Sequence, residues 1–150
     1  MKITDTQNPM PSLEKAIEIA KIVTKLHGNI LLFNTVVPMV TATGIVLSKE
    51  AQEMKQTNVN KAKGLLIVKS AHPDMLAGEY VALMPQTTPL FSKVVTTDEL
   101  IEGLDPKTIE DFTNSKGRFL SFNAESKGAF YKKYVLIVVH PTSVACNIDL

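Results

Sequence analysis

The chain has 150 residues, a formal net charge of +1, 45% hydrophobic residues and one cysteine. That length suits one domain, able to bury roughly 68–70% of the surface its unfolded form exposes. The near-zero charge, with no basic stripe carrying interleaved aromatics, argues against a nucleic-acid partner, and a lone cysteine excludes an intrachain disulfide framework and fits a reducing compartment.

Met1 to Pro11 reads as a flexible tail with no signal-peptide pattern. Ser12 can cap a helix running to about Leu26, because Leu13, Ala16, Ile17, Ala20, Val23 and Leu26 recur at helical spacing. Glu14, Lys15, Glu18, Lys21 and Lys25 mostly take the other face, and Gly28 ends the helix. Such a stripe is either a packing face against the rest of the domain or a docking face for a partner. The charge-free stretch Gly28 to Ser48 holds Asn29, Asn34, Pro38 and several threonines, too polar and too β-branched for a membrane span. A soluble cytoplasmic protein is therefore expected, with no membrane partner.

Asn29 to Val37 reads as a strand, rich in β-branched and large apolar residues. Gly44-Ile45-Val46-Leu47 follows, between the charge-free segment Val36 to Thr43 and the polar run Ser48 to Lys63. Its three apolar side chains either tip a long loop, which is costly unless something docks onto it, or form an ordinary buried strand. Gly64 opens a second strand, Leu65 to Val68; Ser70 to Asp74 is a turn; Tyr80 to Met84 is a third strand.

Pro85 to Gly128 has a different character, with Pro85, Pro89 and Pro106 and few long apolar runs. Thr96-Thr97-Asp98-Glu99 fits a capping box that would start a helix ending at Gly103. Asp105-Pro106 predicts a second short helix to about Phe112, and Arg118 to Phe122 a strand. This segment is an elaborated excursion from a β core. Tyr134 to Val139 is the strongest strand, broken by Pro141, and Ser143 to Ile148 is a terminal strand. Short strands joined by turns predict a mainly β chain, a small antiparallel barrel.

Reaction chemistry has little support. His27, His72 and His140 stand apart in sequence, and the last two precede prolines, which favours solvated turns over a metal site. Cys146 has no neighbouring base and reads as a buried, inert thiol. There is no phosphate-binding glycine loop and no nucleophile elbow. Asp98, Glu99, Glu102, Glu110 and Asp111 read as helix-start acids and solvated faces. The expectation is no enzyme, no cofactor and no metal.

The order of these elements resembles the GroES family of co-chaperonins. Leu26-His27-Gly28-Asn29-Ile30-Leu31-Leu32, then Gly44-Ile45-Val46-Leu47, is similar to that family's leading Leu-His pair, first strand and mobile loop ending in an Ile-Val-Leu type tripeptide. Lys63 to Val68, Ala77 to Leu83, Tyr134 to Val138 and Ser143 to Ile148 resemble its later strands in the same order, and the blocks cover about half of the chain. The chain departs from the pattern in a longer loop, an extra N-terminal helix, a turn at Ser70 to Leu76 too short for a roof hairpin, and a longer excursion. A shortened roof is similar to the co-chaperonins encoded by bacteriophages.

The resemblance implies a single GroES-like β-barrel domain over residues 1–150: an N-terminal extension over 1–27 with its helix, a mobile loop over 38–63 and an excursion over 85–128. It implies a homo-heptameric ring, the terminal strand of one subunit pairing to the first strand of its neighbour. Gly44, Ile45, Val46 and Leu47 would bind a GroEL-type chaperonin, which itself binds and hydrolyses ATP while a client protein, such as a phage capsid protein, folds in the capped chamber. Gly44 would give the backbone freedom where the loop refolds. The rival expectation is a phage structural or assembly protein with a small β-barrel.

Overall fold

The computed structural model describes residues 6–45, 48–54, 56, 64–114 and 130–148. The chain is mainly β: six antiparallel strands in one open sheet. They are β1 (Ile30–Thr35), β2 (Leu65–Ser70), β3 (Tyr80–Leu83), β4 (Phe91–Leu100), β5 (Tyr131–Val139) and β6 (Val144–Ile148), in the order β4-β5-β1-β2-β3-β6. Helix α1 (Leu13–Ile19) precedes β1, and helix α2 (Pro106–Asn114) lies between β4 and β5. Contacts divide the chain into two units. One holds Met10–Thr35, Thr57–Val95 and Tyr134–Leu150; the other holds Met1–Pro9, Val36–Gln56 and Thr96–Lys133.

In the first unit β1 is the central strand. It pairs with β5 from Ile30↔Val139 to Thr35↔Tyr134 and with β2 from Ile30↔Ser70 to Phe33↔Leu66. The register with β2 slips between Leu31 and Leu32, a bulge beside Val68. All six residues of β1 are buried. Alternation sends Leu31 and Phe33 to one face and Ile30 and Leu32 to the other.

The first face packs under α1. Leu31, Phe33, Leu66, Val68, Tyr134, Leu136 and Val138 meet Ala16, Ala20 and Leu26, and the rings of Phe33 and Tyr134 stack at 5.1 Å. The second face carries Ile30, Leu32, Leu65, Ile67, Val81 and Val139, with Ile137, Leu83, Val144 and Met75 around them. Apart from Met75, every one of these residues comes from the sheet itself. Ile30, Leu32, Ile67, Val81 and Val139 are fully buried. Among the described residues no ladder joins β4 to β6, so the sheet is open.

Four expectations are corrected. The N-terminal helix ends at Ile19, passes through a 3-10 turn at Ala20–Ile22 and becomes extended at Val23. Ile22-Val23-Thr24 is a run of β-branched residues, which lose side-chain freedom in a helix. The extended backbone still delivers Leu26 to the core. The helix expected at Thr96–Glu99 is instead the second half of β4: the β-branched run Val94-Val95-Thr96-Thr97 prevails over the capping pattern. The Thr97 hydroxyl donates to the Lys132 carbonyl at 2.9 Å and so serves the sheet. The pairing of a terminal strand with a neighbour's first strand is unavailable, because β1 is flanked on both sides within its own chain and β6 pairs with β3. Cys146, expected to be buried, is exposed on β6. The helix predicted from Asp105-Pro106 forms as α2. The strand predicted at Arg118 to Phe122 lies outside the described residues.

Gly64 sets how closely the start of β2 approaches β3. It has φ +71°, and a Cβ there would lie 2.8 Å from the Val81 carbonyl oxygen and 2.5 Å from Ile148 Cδ1. Gly64→Ala should lower stability by at least about 2 kcal/mol, combining left-handed backbone strain with overpacking. The shift of the urea midpoint at constant slope measures it.

Candidate functional site

The predicted tip begins on a small core of the second unit. Val40 is fully buried with Ile101, Leu104 and Phe130, and Met39, Leu100 and Ile109 pack around them. Backbone bonds hold the segment there: the Thr6 hydroxyl donates to the Val40 carbonyl, and the Asp105 N–H, at the entry to α2, donates to the Ala42 carbonyl at 2.8 Å. Asn8 is buried nearby, its amide donating to the carbonyls of Val36 and Lys133 at 3.2 and 2.7 Å. Lys132 reaches Glu102 at 3.2 Å and Glu99 at 3.9 Å, a surface contact of small energetic weight.

From that base the chain makes a turn at Thr41 to Ile45. The Thr41 N–H donates to the Ile45 carbonyl at 2.9 Å, the Gly44 N–H to the Thr41 carbonyl at 3.0 Å, and the Ile45 N–H to the Thr41 hydroxyl at 3.1 Å. Gly44 sits at φ +90°, a conformation that other residues adopt only with strain. A Cβ there would press against Thr108 Cγ2 at 3.2 Å and approach the Phe130 ring. The glycine therefore locks a tight turn against its neighbours, where the sequence suggested a point of freedom.

These three bonds close the turn on Thr41, and the Ile45 side chain is left outside, 66% exposed. Ile45 is thus not part of a buried strand. Val46 and Leu47, the rest of the predicted tip, lie outside the described residues. The segment that follows is more structured than its polar composition suggested. Residues 49–54 are helical, and the Ser48 hydroxyl accepts from the Ala51 N–H at 3.1 Å as an N-cap. Gln52 and Gln56, one helical turn apart in sequence, clamp one residue from both sides. Gln52 Nε2 donates to the Val37 carbonyl at 3.2 Å, and the Val37 N–H donates to Gln56 Oε1 at 2.7 Å. Ser48 followed by Lys49-Glu50-Ala51-Gln52-Glu53-Met54, all favourable in helices, was the signal for this turn.

His72 and His140 serve local turns. His72 Nδ1 accepts from the Asp74 N–H at 3.2 Å, and His140 Nδ1 accepts from the Thr142 N–H at 3.2 Å, capping the 3-10 turn at Pro141–Ser143. Among the described residues no group of three or more His, Cys, Asp or Glu could hold a metal ion. Among them, too, no helix is long and apolar enough to cross a membrane. Comparison with protein-family models, with curated proteins and with solved structures finds no match to this chain.

Two substitutions separate tip from pedestal. Ile45→Asp should change stability by no more than about 0.5 kcal/mol, as for surface positions generally. Gly44→Ala should cost about 1–3 kcal/mol through backbone strain and the Thr108 contact. Urea unfolding of both variants against the parent checks the contrast.

Proposed function

We propose that this chain is a co-chaperonin of the GroES-like kind, a ring that caps a GroEL-type chaperonin and assists ATP-dependent folding of an enclosed client protein. The observation that carries this reading is Ile45, an apolar side chain held out into water on a turn closed by three hydrogen bonds to Thr41. Val46 and Leu47 extend the tip in sequence. The succession of β1, tip, β2 and β3 in an antiparallel sheet supports the same reading, in which this sheet would correspond to the family's barrel.

The energetics fit a weak, repeated grip. Burying each tip residue contributes about 1.5–3 kcal/mol. Ordering a wholly disordered segment would cost about 2–5 kcal/mol, and a turn already formed at Thr41 to Ile45 reduces that cost. One tip alone binds weakly; several on one ring multiply the grip through effective concentration. Because β1 has neighbours on both sides, subunits of this ring would meet through the outer strands of the sheet, β4 and β6. Pairing β6 of one copy with β4 of the next is head-to-tail, the arrangement that closes into rings.

Native mass spectrometry, alone and with a GroEL-type ring plus nucleotide, tests both halves of the proposal. A seven-subunit species that adds to the chaperonin only with nucleotide is the expected result. Ile45→Asp should leave the ring intact and abolish its capture by the chaperonin; undiminished capture of that variant would remove the tip from the mechanism.

One observation favours a second reading, a phage structural or assembly protein built on the same sheet. The turn at Thr41 to Ile45 and the clamp of Gln52 and Gln56 on Val37 are ordered within the chain's own fold. Association discriminates. Nucleotide-dependent capture by a GroEL-type ring supports the co-chaperonin, and stable association with virions without such capture supports the assembly protein.

A further inference from the structure

We infer that the groove beside α1 is a binding site for a single-chain amphiphile with an anionic head, the chemistry of a medium-chain carboxylate. This goes beyond the proposed function and does not depend on it. The groove encloses about 470 Å³ and lies within the first unit. One wall is the end of α1 and the segment after it, with Ile17, Ala20, Val23 and Thr24; the floor is Leu31 of β1 and Val68 of β2.

The groove follows from the helix's early end. Where α1 gives way to the 3-10 turn, the small side chain of Ala20 packs toward the sheet, and the backbone becomes extended at Val23. Leu31 and Val68 are sealed beneath the residues packed on them, so the apolar surface a ligand can reach is that of Ile17, 41% exposed, and half-buried Val23. The charged groups of the lining are both cationic, Lys21 and Lys69. Lys69 is preset: its ammonium donates to the Thr24 carbonyl at 2.9 Å, which fixes the charge beside the groove and leaves further N–H donors for a ligand. No carboxylate lines the groove to neutralise the pair. An acyl chain along Ile17 and Val23, with its carboxylate at the rim that carries Lys21 and Lys69, matches both the apolar walls and the cationic rim.

The test is an amide-resolved NMR titration of the full chain with sodium decanoate below its micellar concentration. Decyltrimethylammonium, with the same tail and the opposite charge, is the control. Saturable shifts confined to the amides of Ile17 to Thr24, Leu31 and Val68 to Lys69 are expected. The cationic control should bind about tenfold more weakly, and so should decanoate to the K21Q/K69Q double variant. Both lysine side chains are exposed, so the variant should keep the parent spectrum elsewhere. Equal binding of the two head groups, shifts centred elsewhere or failure to saturate would overturn the proposal. So would co-sedimentation with anionic phospholipid vesicles without saturable decanoate binding, which would make the patch a membrane-surface contact.

Discussion

The fold depends on burying one strand from every direction. β1 has a partner strand on each side, α1 over one face and a second apolar cluster on the other. Its backbone groups can be satisfied only by ladders on both edges, because no water reaches them. Its side chains gain transfer free energy on both faces, so Ile30-Leu31-Leu32-Phe33 reads as a continuous apolar run and not as an alternating one. Asn34 and Thr35, polar yet buried at the end of this strand, mark the limit of that run; Asn34 Oδ1 accepts from the Thr35 N–H at 2.8 Å. Once β1 is enclosed, β2 and β5 are fixed in register, and β3 and β6 follow from β2.

That constraint explains which parts of the chain were legible in sequence. Strands that serve the enclosed core announce themselves by composition: Leu65 to Val68 and Tyr134 to Val139 are dense in large apolar residues, and both appear where expected. β4 is different. Much of it is exposed, its apolar residues are spaced among Thr, Asp and Glu, and a local capping pattern competes with its β-branched run. Only pairing beside β5 decides between them, and pairing is not a property of a short stretch. The early end of α1 is a similar case. The apolar stripe continues at helical spacing to Leu26, but the β-branched run at Ile22 to Thr24 ends the helix, and Leu26 reaches the core from extended backbone. The exposure of Cys146 has the same root: it sits on an outer strand, and a residue's type does not say which strand of a sheet will lie at its edge.

The candidate tip was visible as an apolar cluster in polar surroundings, but its support was not. Val40, Phe130 and the entry to α2 come from parts of the sequence far apart, and their meeting beneath Gly44 has no local signature. Positive φ and a nearby Thr108 methyl group make Gly44 the residue that lets a tight turn close against a packed neighbour.

This difference changes how such a tip would work. A wholly disordered loop draws its weak affinity from an ordering cost and loses that cost again on release. A turn already fixed at Thr41 to Ile45 presents its apolar group at constant geometry, so much of the ordering cost is met in folding. The gain in affinity per tip leaves each contact harder to release. A multivalent ring of such tips would then depend on motion of the partner to break its contacts together, and its reversibility would rest with the partner more than with the loop.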